Sequence, residues 1–233
     1  MALIAPLALY GQITTVTGRV EFTSPGAAKS KSVAPTVVWL MPLNASGEEI
    51  AATNPPPTGP PPRLVQRNKS FSPHLLVVPV GTAVEFPNRD PFFHNVFSLF
   101  EGKRFDLGLY EAGSARLVHF DRPGISYIFC NIHPDMSAVV IALSTPWHAV
   151  SDASGQITIP DVPYGRYMLH AWSERALPEA LQSLTHEVTI GTDSASLGVV
   201  RLAQSAAVTA DHKNKYGRDY DPASPSSPIY PQP

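Results

Sequence analysis

Proline and glycine set the first limit on what this chain can fold into. There are 25 prolines and 15 glycines in 233 residues, and they interrupt the apolar residues before an amphipathic helix can develop. A proline inside a helix removes a hydrogen bond and costs about 3 kcal/mol. What remains between the breaks is a series of short alternating or apolar runs: "TVTGRVEF", "TVVWLMPL", "HLLVVPVGTAVEFPN", "SARLVHFDRPGISYIFC", "MSAVVIAL" and "GQITIPDVPYGRYMLHAW". Many short strands punctuated by turn residues indicate β-sandwiches. One segment, "SERALPEALQSL" (Ser173 to Leu184), has helical periodicity, and it carries Pro178. With 43% hydrophobic residues there is enough apolar material to close more than one core. The expected class is all-β.

Charge narrows the range of partners. The 17 basic and 19 acidic residues leave a net charge of −2, and the basic ones are scattered, which argues against nucleic acid as a partner. The prolines themselves cluster. "NPPPTGPPPR", residues 54–63, is expected to be a Pro-rich linker, and residues 204–233 a disordered Pro-rich tail. Residues 1–12, "MALIAPLALYGQ", combine an apolar run with small residues but lack a basic start. They fit either a truncated export signal or an ordinary first strand. No other apolar run is long enough to span a bilayer, and association with a membrane by other means stays open.

The chemistry concentrates in "YIFCNIHPDMSAVVIAL", Tyr127 to Leu143. Cys130 is the sole cysteine, so it forms no internal disulfide and no multi-cysteine metal site. By itself such a residue is a buried spectator, a reactive thiol or a metal ligand with other companions. His133 and Met136 follow it at the third and sixth positions, and the flanks are strand-like. A thiolate, a neutral imidazole and a thioether form the soft donor set that selects copper. A further histidine at another strand end completes a blue-copper arrangement, and His94 in "VEFPNRDPFFHNVF" offers it. His74, His119, His148, His170, His186 and His212 show no paired metal spacing.

These two segments together resemble the plastocyanin/azurin cupredoxins, and most of all the amicyanin type. The resemblance runs through Phe86, Asn88, Asp90, His94, Asn95 and Val96, then Cys130, His133, Pro134 and Met136. It covers about a third of the chain, and Phe93 departs from it where the family has proline. It implies His94, Cys130, His133 and Met136 as ligands of one type 1 copper, with Asn95 helping to hold the ligand loop. A larger pattern is similar to exported proteins labelled "methylamine utilization protein". Asp152, Gly155, Ile157, Ile159, Pro163, Gly165, Tyr167 and Leu169 resemble the closing half of a carboxypeptidase-regulatory-like, prealbumin-type sandwich. The implied layout is a Greek-key cupredoxin sandwich over residues 64–146. It is inserted into a second, smaller prealbumin-like sandwich formed by residues 13–45 and 147–203.

The expected function is electron carriage rather than catalysis. Four protein ligands with an axial methionine leave no open position for a small-molecule substrate. His133 is the expected electron port. Phe92, Phe93 and Pro134 around it are expected to form an apolar patch for a transient redox protein partner, although ordinary loop packing accounts for them too. An export signal implies a periplasmic or extracellular location. Two other readings stand beside this one: Cu(I) storage or delivery, and a metal-free β-sandwich module for binding or structure.

Overall fold

The computed structural model describes residues 11–23, 34–55, 59–99, 101–203 and 213–220. Among the described residues it is all-β with one short helix. Two compact units divide the chain: residues 1–53 with 147–209, and residues 54–146 with 210–233. The expected signal segment lies outside the described residues, apart from Gly11 and Gln12.

The first unit opens with β1 (Ile13–Thr23) and β2 (Val37–Pro42). In β1 the buried positions alternate, with Val16, Gly18 and Val20 turned inward, the period-two signature of a strand with one face in a core.

Among the described residues, the chain then builds the second unit from nine strands. These are β3 (Val65–Arg67), β4 (Ser70–Ser72), β5 (Leu75–Pro79), β6 (Thr82–Pro87) and β7 (His94–Ser98). The remaining four are β8 (Phe105–Tyr110), β9 (Ala115–Phe120), β10 (Gly124–Cys130) and β11 (Ser137–Leu143). Five of them form one sheet in the order β5-β11-β10-β7-β8, while β6 pairs with β9 and β3 with β4. β5 runs parallel to β11, and the other pairs of that sheet are antiparallel. Their inward side chains share one core: Val84 and Phe86 from β6, Phe120 from β9, Ile128 and Cys130 from β10, and Val140 from β11. Burying each of these aliphatic or aromatic side chains contributes about 1.5–3 kcal/mol. The two ends of the expected linker are tied to this unit. Asn54 donates its side-chain amide to the Leu143 carbonyl at 2.9 Å, and Arg63 pairs with Glu85 at 2.6 Å.

Returning to the first unit, the chain adds β12 (His148–Val150), β13 (Gln156–Pro163), β14 (Gly165–Trp172), α1 (Pro178–Leu184), β15 (His186–Ile190) and β16 (Ser196–Ala203). Its sheets are β13-β1-β16 and β12-β2-β14-β15. Val20, Ile157 and Leu202 from the first meet Leu40, Leu169 and Ile190 from the second in a common core. Pro178 begins α1 rather than breaking it, because a first-turn residue has no intrahelical N–H bond to lose. The helix therefore starts five residues later than the Ser173–Leu184 periodicity suggests.

Of the segment 204–233 expected to be a disordered tail, residues 204–212 and 221–233 lie outside the described residues, and residues 213–220 are structured. They form a turn closed by Asn214 N–H to Arg218 O and Gly217 N–H to Asn214 O, both 2.9 Å. The Asn214 side-chain oxygen accepts from Tyr216 and Arg218 N–H. An asparagine that satisfies its own turn, with Gly217 at φ +75°, supplies local order that proline content conceals.

Candidate metal centre

The first element of the site is the loop between β6 and β7. Asn88, fully buried, organises it. Its amide donates to the Phe92 carbonyl at 2.7 Å, and its oxygen accepts the Asp90 N–H at 3.0 Å. The tight loop folds the Asp90 carboxylate back onto the residue that opens β7. Asp90 Oδ2 lies 2.9 Å from His94 Nε2, with both side chains buried. The same carboxylate accepts the backbone N–H groups of Asn68 at 2.5 Å and Lys69 at 3.0 Å. Those two residues form the β3–β4 turn, at φ 56° and 53°.

The second element is the end of β10. Cys130 pairs with Val96 of β7, which puts its sulfur beside His94. The β10–β11 loop closes on itself: Met136 N–H donates to His133 O and Cys130 N–H to Met136 O, both 3.2 Å. This returns His133 to the sulfur. His94 Nδ1 and His133 Nδ1 stand 3.6 Å and 3.5 Å from Cys130 Sγ, and the three donor atoms lie within 4.8 Å of one another. Of the sequence-expected ligands, the fold thus brings together His94, Cys130 and His133. Met136 is fully buried in the same core cluster as Cys130.

This donor set fits a metal ion. A metal about 2.0–2.3 Å from each nitrogen and sulfur donor spaces neighbouring donors about 3.5–3.8 Å apart, which matches the two separations here. The tautomers fit as well. The Asp90 carboxylate accepts a hydrogen bond from His94 Nε2–H and leaves Nδ1 with its lone pair directed at the sulfur. Burial pushes the His94 pKa down, although Asp90 offsets part of that. Burial, then the charges of His94 and Lys69, push His133 down to about 4. Both imidazoles are neutral at pH 7 and ready to ligate. Burial raises the Cys130 thiol, and the backbone N–H groups of Ile132, Asn95 and His133 pull it partly back toward the thiolate. Burial would also raise Asp90, but its hydrogen bonds from Lys69, His94 and Asn68 prevail and hold it low.

Asn95 meets the β10–β11 loop through its backbone. Its carbonyl accepts Asn131 N–H at 2.8 Å, while its side chain turns away to Asp106 at 2.7 Å. Phe92 is half-buried, its ring centroid 5.4 Å from that of His94 and 5.5 Å from that of His133. The two imidazoles meet each other edge to face, with centroids 4.9 Å apart. Phe93 is 47% exposed, Pro134 is exposed and His133 half-buried. Asp90, in contact with His94, is a partner that sequence reasoning missed. Its signal is an acid four positions before a histidine, in a loop held by Asn88.

The imidazoles give the metal-free protein an acid limit. The folded pKa of His133, about 4, is below its ordinary value of 6.5, so the unfolded chain binds more protons in between. Stability is fully present above pH 6.5, falls as pH drops toward 4, and levels off below that. The shift corresponds to about 3 kcal/mol, and the half-exposure of His133 reduces it to about 1–2 kcal/mol. Urea unfolding of metal-free protein at pH 7 and pH 4.5 is expected to show that loss, and His133→Gln is expected to remove most of it.

No family model matches the chain, and no curated protein matches it. Solved structures do. One is a purple cupredoxin from Nitrosopumilus maritimus, 25% identical, with 35% of this chain and 98% of that one covered and a TM-score of 0.32. Another is a copper-containing nitrite reductase from Thermus scotoductus, 26% identical, with a TM-score of 0.35. The match covers 43% of this chain and only 27% of the reductase. A third is an amicyanin variant with Cu(I), 21% identical, covering 35% of this chain and 81% of that one, with a TM-score of 0.33.

Proposed function

We propose that this protein is an exported mononuclear copper protein that carries single electrons between redox partners. The observation that carries the reading is the His94–Cys130–His133 cluster, whose nitrogen–sulfur separations already suit one metal ion. Bound copper would supply a Cu(II)/Cu(I) couple. Cys130 would give the thiolate, His94 and His133 the imidazoles, and Met136 a weak thioether, the donor set of a type 1 copper. The remaining roles belong to the surrounding residues. Asp90 fixes the His94 tautomer and orientation. Asn88 holds the loop that carries both. The amides of Asn95, Ile132 and His133 spread charge away from the sulfur. A cage preset by these contacts moves little between oxidation states, and that favours fast exchange.

His133 is the exit for the electron, being half-buried against Phe92 and next in sequence to exposed Pro134, with Phe93 exposed as well. A small apolar surface of that kind suits a partner that docks briefly and leaves. A location outside the cytoplasm follows if residues 1–12 are an export signal. The test is redox cycling. Protein loaded with one copper should bleach on reduction and recover on oxidation through many cycles without losing metal. Copper that passes to a chelator during the first reduction would point instead to storage or delivery.

A further inference from the structure

We infer that Lys215 and Tyr220, carried in by the C-terminal segment, are positioning residues of the metal centre. The inference rests on the copper reading above and adds to it a part of the chain far from the ligands in sequence. Lys215 closes a ring of hydrogen bonds. Its backbone N–H donates to Asn131 Oδ1 at 3.0 Å, and Asn131 N–H donates to the Asn95 carbonyl at 2.8 Å. The Asn95 side chain donates to Asp106 Oδ1 at 2.7 Å. The Lys215 ammonium returns to Asp106 Oδ2 at 2.8 Å. Asn131 immediately follows Cys130, and Asn95 immediately follows His94. The ring therefore clamps the two chain positions that set the distance between the sulfur and the first imidazole.

Tyr220 adds a further hold. Its hydroxyl donates to the Cys130 carbonyl at 2.8 Å, at the residue that supplies the sulfur. Neither contact is an accident of loose surface side chains. The Lys215 side chain is 18% exposed, and the turn between the two residues is fixed by Asn214 and Gly217. Asp106 also accepts the Gly108 N–H at 3.0 Å, so the acid is held from β8 while Lys215 approaches from the other side. The pairing draws the Asp106 carboxyl below its ordinary range, overcoming burial, and raises Lys215. Because hydrogen-bonding partners around ligands set both orientation and electronic character, their loss typically costs about 10–100-fold in metal affinity.

The test uses full-length Lys215→Met and Tyr220→Phe, each beside the unmodified chain. In metal-free protein the Asn131 amide should exchange with solvent about tenfold faster in both variants, as expected when roughly one hydrogen bond of support is removed. In the copper form each variant should lose about tenfold in affinity and show a shifted charge-transfer band. Lys215→Met should also lower the reduction potential, because removing a cation beside Asp106 favours the more positive Cu(II), whereas Tyr220→Phe changes no charge. Unchanged exchange and unchanged affinity would overturn the inference. So would faster exchange with band, potential and affinity all intact, since the segment would then merely cover the loop. Faster exchange in a chain that takes up no copper would remove the copper reading and keep the clamp.

Discussion

Cys130→Ser is expected to abolish the colour that Cu(II) gives the unmodified protein. The colour is charge transfer from a thiolate to copper, and Cys130 is the sole cysteine in the sequence, so no other sulfur can supply a thiolate. The substitution is small. A serine hydroxyl occupies nearly the same place in the fully buried position at the end of β10, so the fold should persist, with about 1–2 kcal/mol lost to an imperfectly satisfied hydroxyl. Copper affinity should fall by about a hundredfold or more, beyond what removing an outer contact costs. Visible absorption and metal titration measure both. Because His94 and His133 remain, residual copper binding is expected to be colourless and weak.

The second large effect is at Asp90. Asp90→Ala leaves three donors in a buried pocket without an acceptor: Asn68 N–H, Lys69 N–H and His94 Nε2–H. Each buried unsatisfied donor costs about 1–3 kcal/mol, and partial relaxation brings the expected total to about 3 kcal/mol, read from the urea midpoint of metal-free protein. Asp90→Asn is not a neutral replacement. One carboxylate oxygen serves Asn68 and the other serves Lys69 and His94, so an amide nitrogen at either place faces an N–H. In the copper form both variants are expected to lose about 10–100-fold in affinity and to raise the reduction potential, because a negative charge next to His94 stabilises Cu(II) over Cu(I).

The contrast between His94 and Asp90 shows which parts of the site the sequence carries openly. Cys130, His133 and Met136 sit at short spacing between two apolar runs, and a hairpin of neighbouring strands needs no long-range information to gather them. His94 is legible from its place at the start of a strand, after Asn88. What Asp90 does is less so, because its carboxylate finds His94 only after Asn88 has turned the loop. The other two donors to Asp90 come from the β3–β4 turn more than twenty residues earlier in the chain.

The class and turn grammar were equally accessible. Asn44, Asp152 and Asn214 each open a five-residue turn in which a side-chain oxygen accepts two backbone N–H groups. A glycine at the fourth position takes a positive φ, at Gly47, Gly155 and Gly217. In "DASGQ" that pattern marks a strand–turn–strand. In "NKYGR" the same pattern is present, but the surrounding Lys, Arg, Asp and Pro give the composition of a solvated arm. The turn itself is local, but its attachment comes from partners about 85 to 110 positions away, at Asn131, Cys130 and Asp106. No local signal reports such contacts. Nor does sequence alone show that Asn95 directs its side chain to Asp106 while its carbonyl supports the ligand loop.

If His94, Cys130 and His133 hold one copper ion through a thiolate, the metal should announce itself on titration of the purified full-length protein with Cu(II) under visible absorption and EPR. Intense colour is expected that saturates at one copper per chain, disappears on reduction, and is accompanied by loss of the free thiol. A chain that stays colourless with an excess of Cu(II), its thiol still fully reactive, would contradict that coordination.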